Sequence, residues 1–377
     1  MSSTQKELDK NLTVVLTLKD RVPFTYRWMA YANESRFPFK ILIADGGLDK
    51  QITEILSNRS NYPNLDYDYI RYPYDETYSI YHAKKADVLT KVKTQFAVFT
   101  DNDDFLIYDG LREAMKFLTA NRDYCTCRGE TYSFILSPDL NALYGNAIQF
   151  SLYEAASLEE ERALERISRH FEKYSTTYYD VHRIEDIREN FKALHDFDIK
   201  DVTIAELLTS FMTVASGKVK KIAHPYLLRQ YHMNTNCAKE DILVDRFDRM
   251  LLESWSDDFT AFVKAVAAIC GIRDNISVES AIQHIKKGYR RFIDPVILNS
   301  ILKNTIQQPP PSNTSIKLYL FKSYEALKAK LTGAGKGTKI NPDARQVLNQ
   351  NDFCPDLNHD QEVSRIREFL LSGFKNT

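Results

Sequence analysis

Cysteine is the first scarcity. The 377 residues hold five, Cys125, Cys127, Cys237, Cys270 and Cys354, an odd number with no CxxC pair. That argues against a disulfide framework or a paired-thiolate zinc site and suits a reducing compartment. No run approaches the roughly 18 apolar residues of a membrane-spanning helix. The stretch Met1 to Asn11 is polar and lacks the apolar core of a signal peptide. The expected location is therefore the cytoplasm, at most against the inner face of a membrane. Charge of one sign is missing too: 50 Lys and Arg face 51 Asp and Glu, for a net charge of −1. A nucleic-acid binder usually carries a basic domain, so nucleic acid is not an expected partner. Internal repeats are also lacking, which argues against a solenoid.

What is present is ordinary in bulk, 44% hydrophobic and 27% charged, as in a soluble globular protein. The length suggests two domains, or one large domain with an appendage. Less ordinary are 22 Tyr and 21 Phe. Tyrosine stacks on sugars or bases while hydrogen-bonding, and it serves equally well as packing material.

Strand and helix signals alternate over the first 150 residues. Leu12 to Leu18, Phe39 to Ala44 and Gln95 to Thr100 are short apolar runs that read as buried strands. Tyr67 to Tyr72 alternates like a half-exposed strand. Helices are expected over Pro23–Tyr31, Lys50–Ser57, Ile80–Val92 and Gly110–Leu118. This alternation predicts an α/β architecture with a mixed, mainly parallel sheet flanked by helices. Ser157 to Tyr174 reads as a charged, solvated helix, and Thr203 to Ser216 as an apolar helix capped by Gly217. Lys218 to His232 reads as a returning strand pair. Beyond Asp241 the pattern turns to amphipathic helices (241–255, 257–270, 277–292, 295–304 and a last one near 360–372), with linkers near 305–315 and 332–340. The domain boundary is placed near 240.

Ligands in parallel sheets bind past the carboxyl ends of the strands. Two acidic features stand there. Asp101-Asn102-Asp103-Asp104 follows an apolar strand directly, and its three carboxylates repel one another unless a cation neutralises them. Oxygen ligands alone favour a hard divalent ion, Mg²⁺ or Mn²⁺. The bland alternative is an acidic loop capping the next helix. Asp45, before Gly46-Gly47, could accept from a base N–H or a ribose, or could simply make the turn.

Taken in order, Thr17-Leu18-Lys19-Asp20-Arg21, Ile43-Ala44-Asp45-Gly46-Gly47 and Phe99-Thr100-Asp101-Asn102-Asp103-Asp104 resemble the family 2 glycosyltransferases, more narrowly those of bacterial surface polysaccharides. The resemblance covers roughly 12–235. It implies a GT-A domain over 1–240, with a nucleotide-sugar half over about 12–150, an acceptor half over about 151–240 and a helical region over 241–377. It also implies an inverting, metal-dependent transfer from a nucleoside-diphosphate sugar, UDP-linked in the first instance, to a glycan or lipid-linked acceptor. By the same resemblance Thr17 and Arg21 line the nucleotide pocket with Asn102, Asp45 holds the base, Asp101 approaches the ribose and Asp103 ligates Mn²⁺ or Mg²⁺. Lys85 and Asp87 fall near the diphosphate, Asp87 where the family often has Asn. Glu206, in Thr203-Ile204-Ala205-Glu206, occupies the general-base position, with Ala205 replacing the first acid of the family's pair; Asp201 is the reserve. His232, ending Leu228-Arg229-Gln230-Tyr231-His232, completes the metal shell. Independently of the family, the polarity of His182 and Arg183 and the tyrosines beside them suggest acceptor contacts.

Other signals are set aside. Gly333 to Thr338 mimics a P-loop but has Lys330 where glycine is required, and reads as a linker. Cys125-Thr126-Cys127 lies in a strand-like stretch and is not expected to form a metal pair. Ile316 to Leu331 carries lysines among apolar residues at helical spacing; the C-terminal helices could bind a membrane surface, a partner or a second copy. Two rival functions remain: a nucleotidyltransferase, which lacks its Gly-rich loop here, and a non-catalytic scaffold derived from a transferase, which the alanine at 205 keeps open.

Overall fold

Uninterrupted apolar runs make the centre of the sheet because both its faces are covered. In the computed structural model, which describes residues 3–139, 141–231, 249–307, 357 and 360–373, β1 (Leu12–Leu18) is buried at every position. It pairs in parallel with β2 (Lys40–Asp45) on one side and β4 (Phe96–Thr100) on the other. β3 (Tyr67–Arg71) extends this parallel block beyond β2. Past β4 the sheet turns mixed. β8 (Val181–Arg183) runs antiparallel to β4 and to β6 (Tyr124–Ser137). β9 (Lys218–Gln230) runs parallel to β6, while β5 (Phe105–Leu106) and β7 (Ala147–Tyr153) are antiparallel additions. The nine-stranded order is β3-β2-β1-β4-β8-β6-β9-β5, with β7 on β6.

The flanking helices are α1 (Ser3–Asp9), α2 (Val22–Glu34), α3 (Lys50–Ser57), α4 (Tyr78–Lys91) and α5 (Tyr108–Ala120), followed by α6 (Ala163–Glu172), α7 (Ile184–Asp196) and α8 (Val202–Ser216). α9 (Glu253–Asp274), α10 (Val278–Gln307, with Pro295 inside it) and α11 (Gln361–Gly373) follow. Two compact units are distinguished, Met1–Phe292 with Phe353–Thr377, and Ile293–Asp352. α9 packs on α8, where the Phe211 and Phe262 rings lie 5.6 Å apart. α11 closes a second core with Val363, Ile366 and Leu370 against Tyr31, Phe105, Phe134 and Leu228.

Three expectations are corrected. The expected strand pair at 218–232 is one long strand, β9; Pro225, which has no N–H to offer a ladder, sits where the β6–β9 register shifts. The charged segment expected to be helical from 157 starts its helix only at Ala163. Leu158 instead bridges to Val219. Nor is α6 a solvated face: Arg166 is buried and donates to the Val214 and Ala215 carbonyls. The Gly-Lys segment, Ile316–Leu331 and most of 241–255 lie outside the described residues. Among the described residues, no helix is long and apolar enough to cross a membrane.

Candidate functional site

Parallel pairing carries the ends of β1, β2 and β4 to one edge of the sheet. There the chain after β4 turns sharply before β5, presenting Asp101, Asp103 and Asp104. One carboxylate oxygen from each lies within 4.8 Å of the other two. Asp101 Oδ1 accepts from Thr17 Oγ1 at 3.2 Å and its Oδ2 from Tyr179 OH at 2.7 Å. Asp103 Oδ2 accepts from Arg21 Nη2 at 3.0 Å. Asp104 accepts from the Gln230 amide at 3.3 Å, and Arg229 Nε stands 3.5 Å from its other oxygen. Arg229 also donates to Tyr179 OH, 3.0 Å away. Burial, and then the neighbouring Asp103, push the Asp104 carboxyl well above the usual carboxylate range. Convergent, oxygen-only donors whose mutual repulsion calls for positive charge fit a hard divalent ion.

The turn after β1 aims Arg21. Asp20 and Arg21 both adopt left-handed backbone, at φ 57° and 54°. Such strain in non-glycine residues persists only where the surroundings over-determine it. Here Asp20 Oδ1 accepts from the Leu48 amide at 2.8 Å, and a Cβ at Gly47 would lie 2.7 Å from the Asp20 nitrogen. Asn102 points inward, donating to Thr25 Oγ1 at 2.9 Å and the Arg21 carbonyl at 3.3 Å. It braces the turn from behind.

Asp45 is buried and engaged. Its Oδ1 accepts from the Gly47 amide at 2.8 Å, closing the turn, while Tyr69 OH (2.6 Å) and Arg71 bond Oδ2. Lys85 and Asp87 part company, since residues two apart on a helix do not share a face. The Lys85 ammonium is buried 3.9 Å from the Tyr81 ring centre and 4.3 Å from that of Tyr178, beside the Thr17–Asp101 pair. Asp87 is half-exposed and turned to Lys91 and Tyr72, each 2.6 Å away. Those two bonds hold its carboxyl below the usual range.

Glu206 is exposed on α8 and accepts from Tyr174 OH at 2.8 Å. Asp201 caps the same helix, accepting from the Ile204 amide at 2.9 Å, with Arg249 3.7 Å away. Burial raises the Tyr153 phenol above its ordinary value, with the Arg128 and Arg229 charges opposing and Glu206 adding to it. His182 and Arg183 are placed elsewhere. The His182 Nε2 lies 2.7 Å from the Thr177 carbonyl in the interior, and burial lowers its pKa to about 4. Arg183 pairs with Phe96 at the start of β4, the end of that strand away from Asp101. Its guanidinium serves the Leu118, Asn121 and Tyr124 carbonyls. His232 lies outside the described residues. Sequence reasoning left Tyr179, Arg229, Arg71 and Arg27 without roles. The Tyr178-Tyr179 pair and Arg229-Gln230 were visible as motifs, but nothing in them indicated which carboxylate they would reach.

No family model matches the chain, and no curated protein matches it. Among solved structures, S. aureus TarS 1–349 is similar, with TM-score 0.40 and 14% identity over 75% of this chain and 90% of that one. The same TarS piece in complex with UDP-GlcNAc gives TM-score 0.39 at 14% identity over the same shares. The longer TarS structure gives TM-score 0.40 and 14% identity over 75% of this chain and 54% of that chain.

Proposed function

We propose that this chain is a GT-A type, inverting glycosyltransferase that moves a sugar from a nucleoside-diphosphate donor, UDP-linked, to a glycan or lipid-linked acceptor, in bacterial surface-polysaccharide synthesis. The observation that supports it most is the gathering of Asp101, Asp103 and Asp104 within 4.8 Å at the ligand-binding edge of a parallel sheet. Mn²⁺ or Mg²⁺ bound there, with Asp103 as a ligand, would neutralise charge developing on the leaving diphosphate. Asp101 and Thr17 face the ribose, and Arg21 is turned towards the phosphates. Asp45, with Arg71 beside it, forms the base end. The acceptor hydroxyl attacks the anomeric carbon as the bond from that carbon to the diphosphate oxygen breaks. Glu206, exposed and held by one hydrogen bond from Tyr174, takes the hydroxyl proton.

A second reading, a scaffold descended from a transferase, has its own observation. Each acid of the cluster, and Asp45, already has a partner within the chain: Arg21, Arg229, Tyr179 and Arg71. Incubation with UDP-sugars and Mn²⁺ separates the two readings. An enzyme releases UDP slowly by hydrolysis even without its acceptor, and a chelator stops it. A scaffold releases none.

A further inference from the structure

Arg27 is 2% exposed, and both of its terminal nitrogens are engaged. Its Nη2 donates to the main-chain carbonyl of Asp103 at 3.1 Å. Its Nη1 donates to the Leu143 carbonyl and to Gln230 Oε1, each at 2.7 Å. The three acceptors belong to three separate segments: the acidic turn, the end of β9 and the loop between β6 and β7. The rings of Phe24 and Phe105 flank the guanidinium at 4.9 and 5.1 Å. Gln230 spreads the connection, since its amide reaches Asp104 and its Nε2 donates to the Ala142 carbonyl at 2.9 Å.

The β6–β7 loop is in turn fastened by the C-terminal helix. The Gly145 amide donates to the Leu370 carbonyl at 3.2 Å. Tyr144 meets Phe369 with ring centres 5.9 Å apart, and a Cβ on Gly373 would lie 2.1 Å from the Tyr144 ring. At its other end, α11 supplies Glu362, whose Oε2 accepts from the Asp109 amide at 3.1 Å, just after β5. The last helix thus bears on both flanks of the acidic turn.

We propose that Arg27 is a positioning residue that fixes the Asp103–Asp104 main chain, and that docking of α11 completes its support. This rests on the reading of the acidic turn as the cation-binding site. Arg27 touches neither donor nor cation; it acts through the Asp103 carbonyl and Gln230. A planar guanidinium can serve three acceptors in different directions, whereas the point-like ammonium of lysine cannot hold all three in place.

The test uses the full chain, titrating UDP with and without Mn²⁺ by calorimetry well below each variant's unfolding temperature. In Arg27→Lys most of the Mn²⁺-dependent gain in UDP affinity should be lost, leaving about twofold or less, because the cation ligands are misplaced. Metal-free UDP affinity should stay unchanged. Phe369→Ala, which loosens α11 against Tyr144 and Tyr31, should move the same ratio in the same direction by a smaller factor. A variant that unfolds earlier yet keeps the wild-type Mn²⁺-dependent gain would show support for the core alone and overturn the inference. If Arg27→Lys does not fold, Phe369→Ala decides by the same ratio. Asp103→Ala is the control for the underlying reading. Should it keep the wild-type gain, the acidic turn is not the cation site and this inference falls with that reading. If it loses the gain while Arg27→Lys and Phe369→Ala keep it, only the positioning role is refuted.

Discussion

Asp103 and Asp104 are adjacent in the chain but face different arginines. Arg21 comes from the strained turn after β1 and Arg229 from the end of β9. One acid thus answers to the parallel block of the sheet and the other to its mixed part. A similar division separates the two candidate bases on α8. Asp201 is occupied as the helix cap, while Glu206 is exposed and carries a single hydrogen bond, from Tyr174. Glu206→Gln should therefore lower turnover by about 10²–10⁴, the range for a positioned acid–base group, with donor affinity nearly unchanged. Asp201→Asn should instead cost about 1 kcal/mol of stability or less, because Asn also caps well, and should leave turnover close to wild type. Steady-state kinetics on both variants check this; a normal Glu206→Gln enzyme would remove Glu206 from the reaction.

At the level of elements, the parallel block was legible because burial on both faces leaves an apolar run that only a central strand tolerates. The bounds of α3, Lys50–Ser57, follow the expected ones, helped by Asp49 accepting from the Gln51 amide as its cap. The second half of the sheet was less readable. β6 and β9 are long strands whose burial pattern changes along their length and whose register shifts, so no single period marks them. The positions of Asp45 and the acidic turn at strand ends were readable. Their partners were not, since Tyr179 arrives from the turn before β8 and Arg229 from β9, both far along the chain. Gly110 shows the same limit. Helix propensity alone says that Gly110→Ala should gain up to about 1 kcal/mol. In the fold, however, a Cβ there would lie 2.1 Å from the Pro225 carbonyl oxygen, and backbone cannot move aside cheaply. We expect Gly110→Ala to destabilise by about 1–3 kcal/mol, the usual cost of overpacking. Urea unfolding decides the sign, and a stabilised variant would show that α5 and β9 are not in such close contact.

For the molecule as a whole, buried histidines are groups that oppose folding as the pH falls. His170 lies among Tyr174 and Phe211 rings, and neither ring nitrogen has a hydrogen-bond partner among the described residues. Burial, then Arg128, lower its pKa to about 3. Burial likewise brings His82 to about 3 and His182 to about 4. Between these values and the ordinary value near 6.5, the unfolded chain binds protons that the folded chain refuses. The stability these groups contribute is present above about pH 6.5 and is lost as pH falls toward their folded values. His170→Phe, which suits an aromatic pocket, should flatten the stability profile between pH 6.5 and about 4. Urea midpoints across that range test it, and an unchanged slope would place His170 in a wetter site. The central claim, that the edge built by β1, β2 and β4 holds a nucleotide sugar through a cation on the acidic turn, is tested most directly by titrating UDP into the wild-type chain with and without Mn²⁺. The account predicts that Mn²⁺ tightens UDP binding at least about tenfold, or 1.4 kcal/mol, and that Asp103→Ala abolishes the gain. UDP binding that is absent, or that is the same with metal, with chelator and in Asp103→Ala, would contradict it.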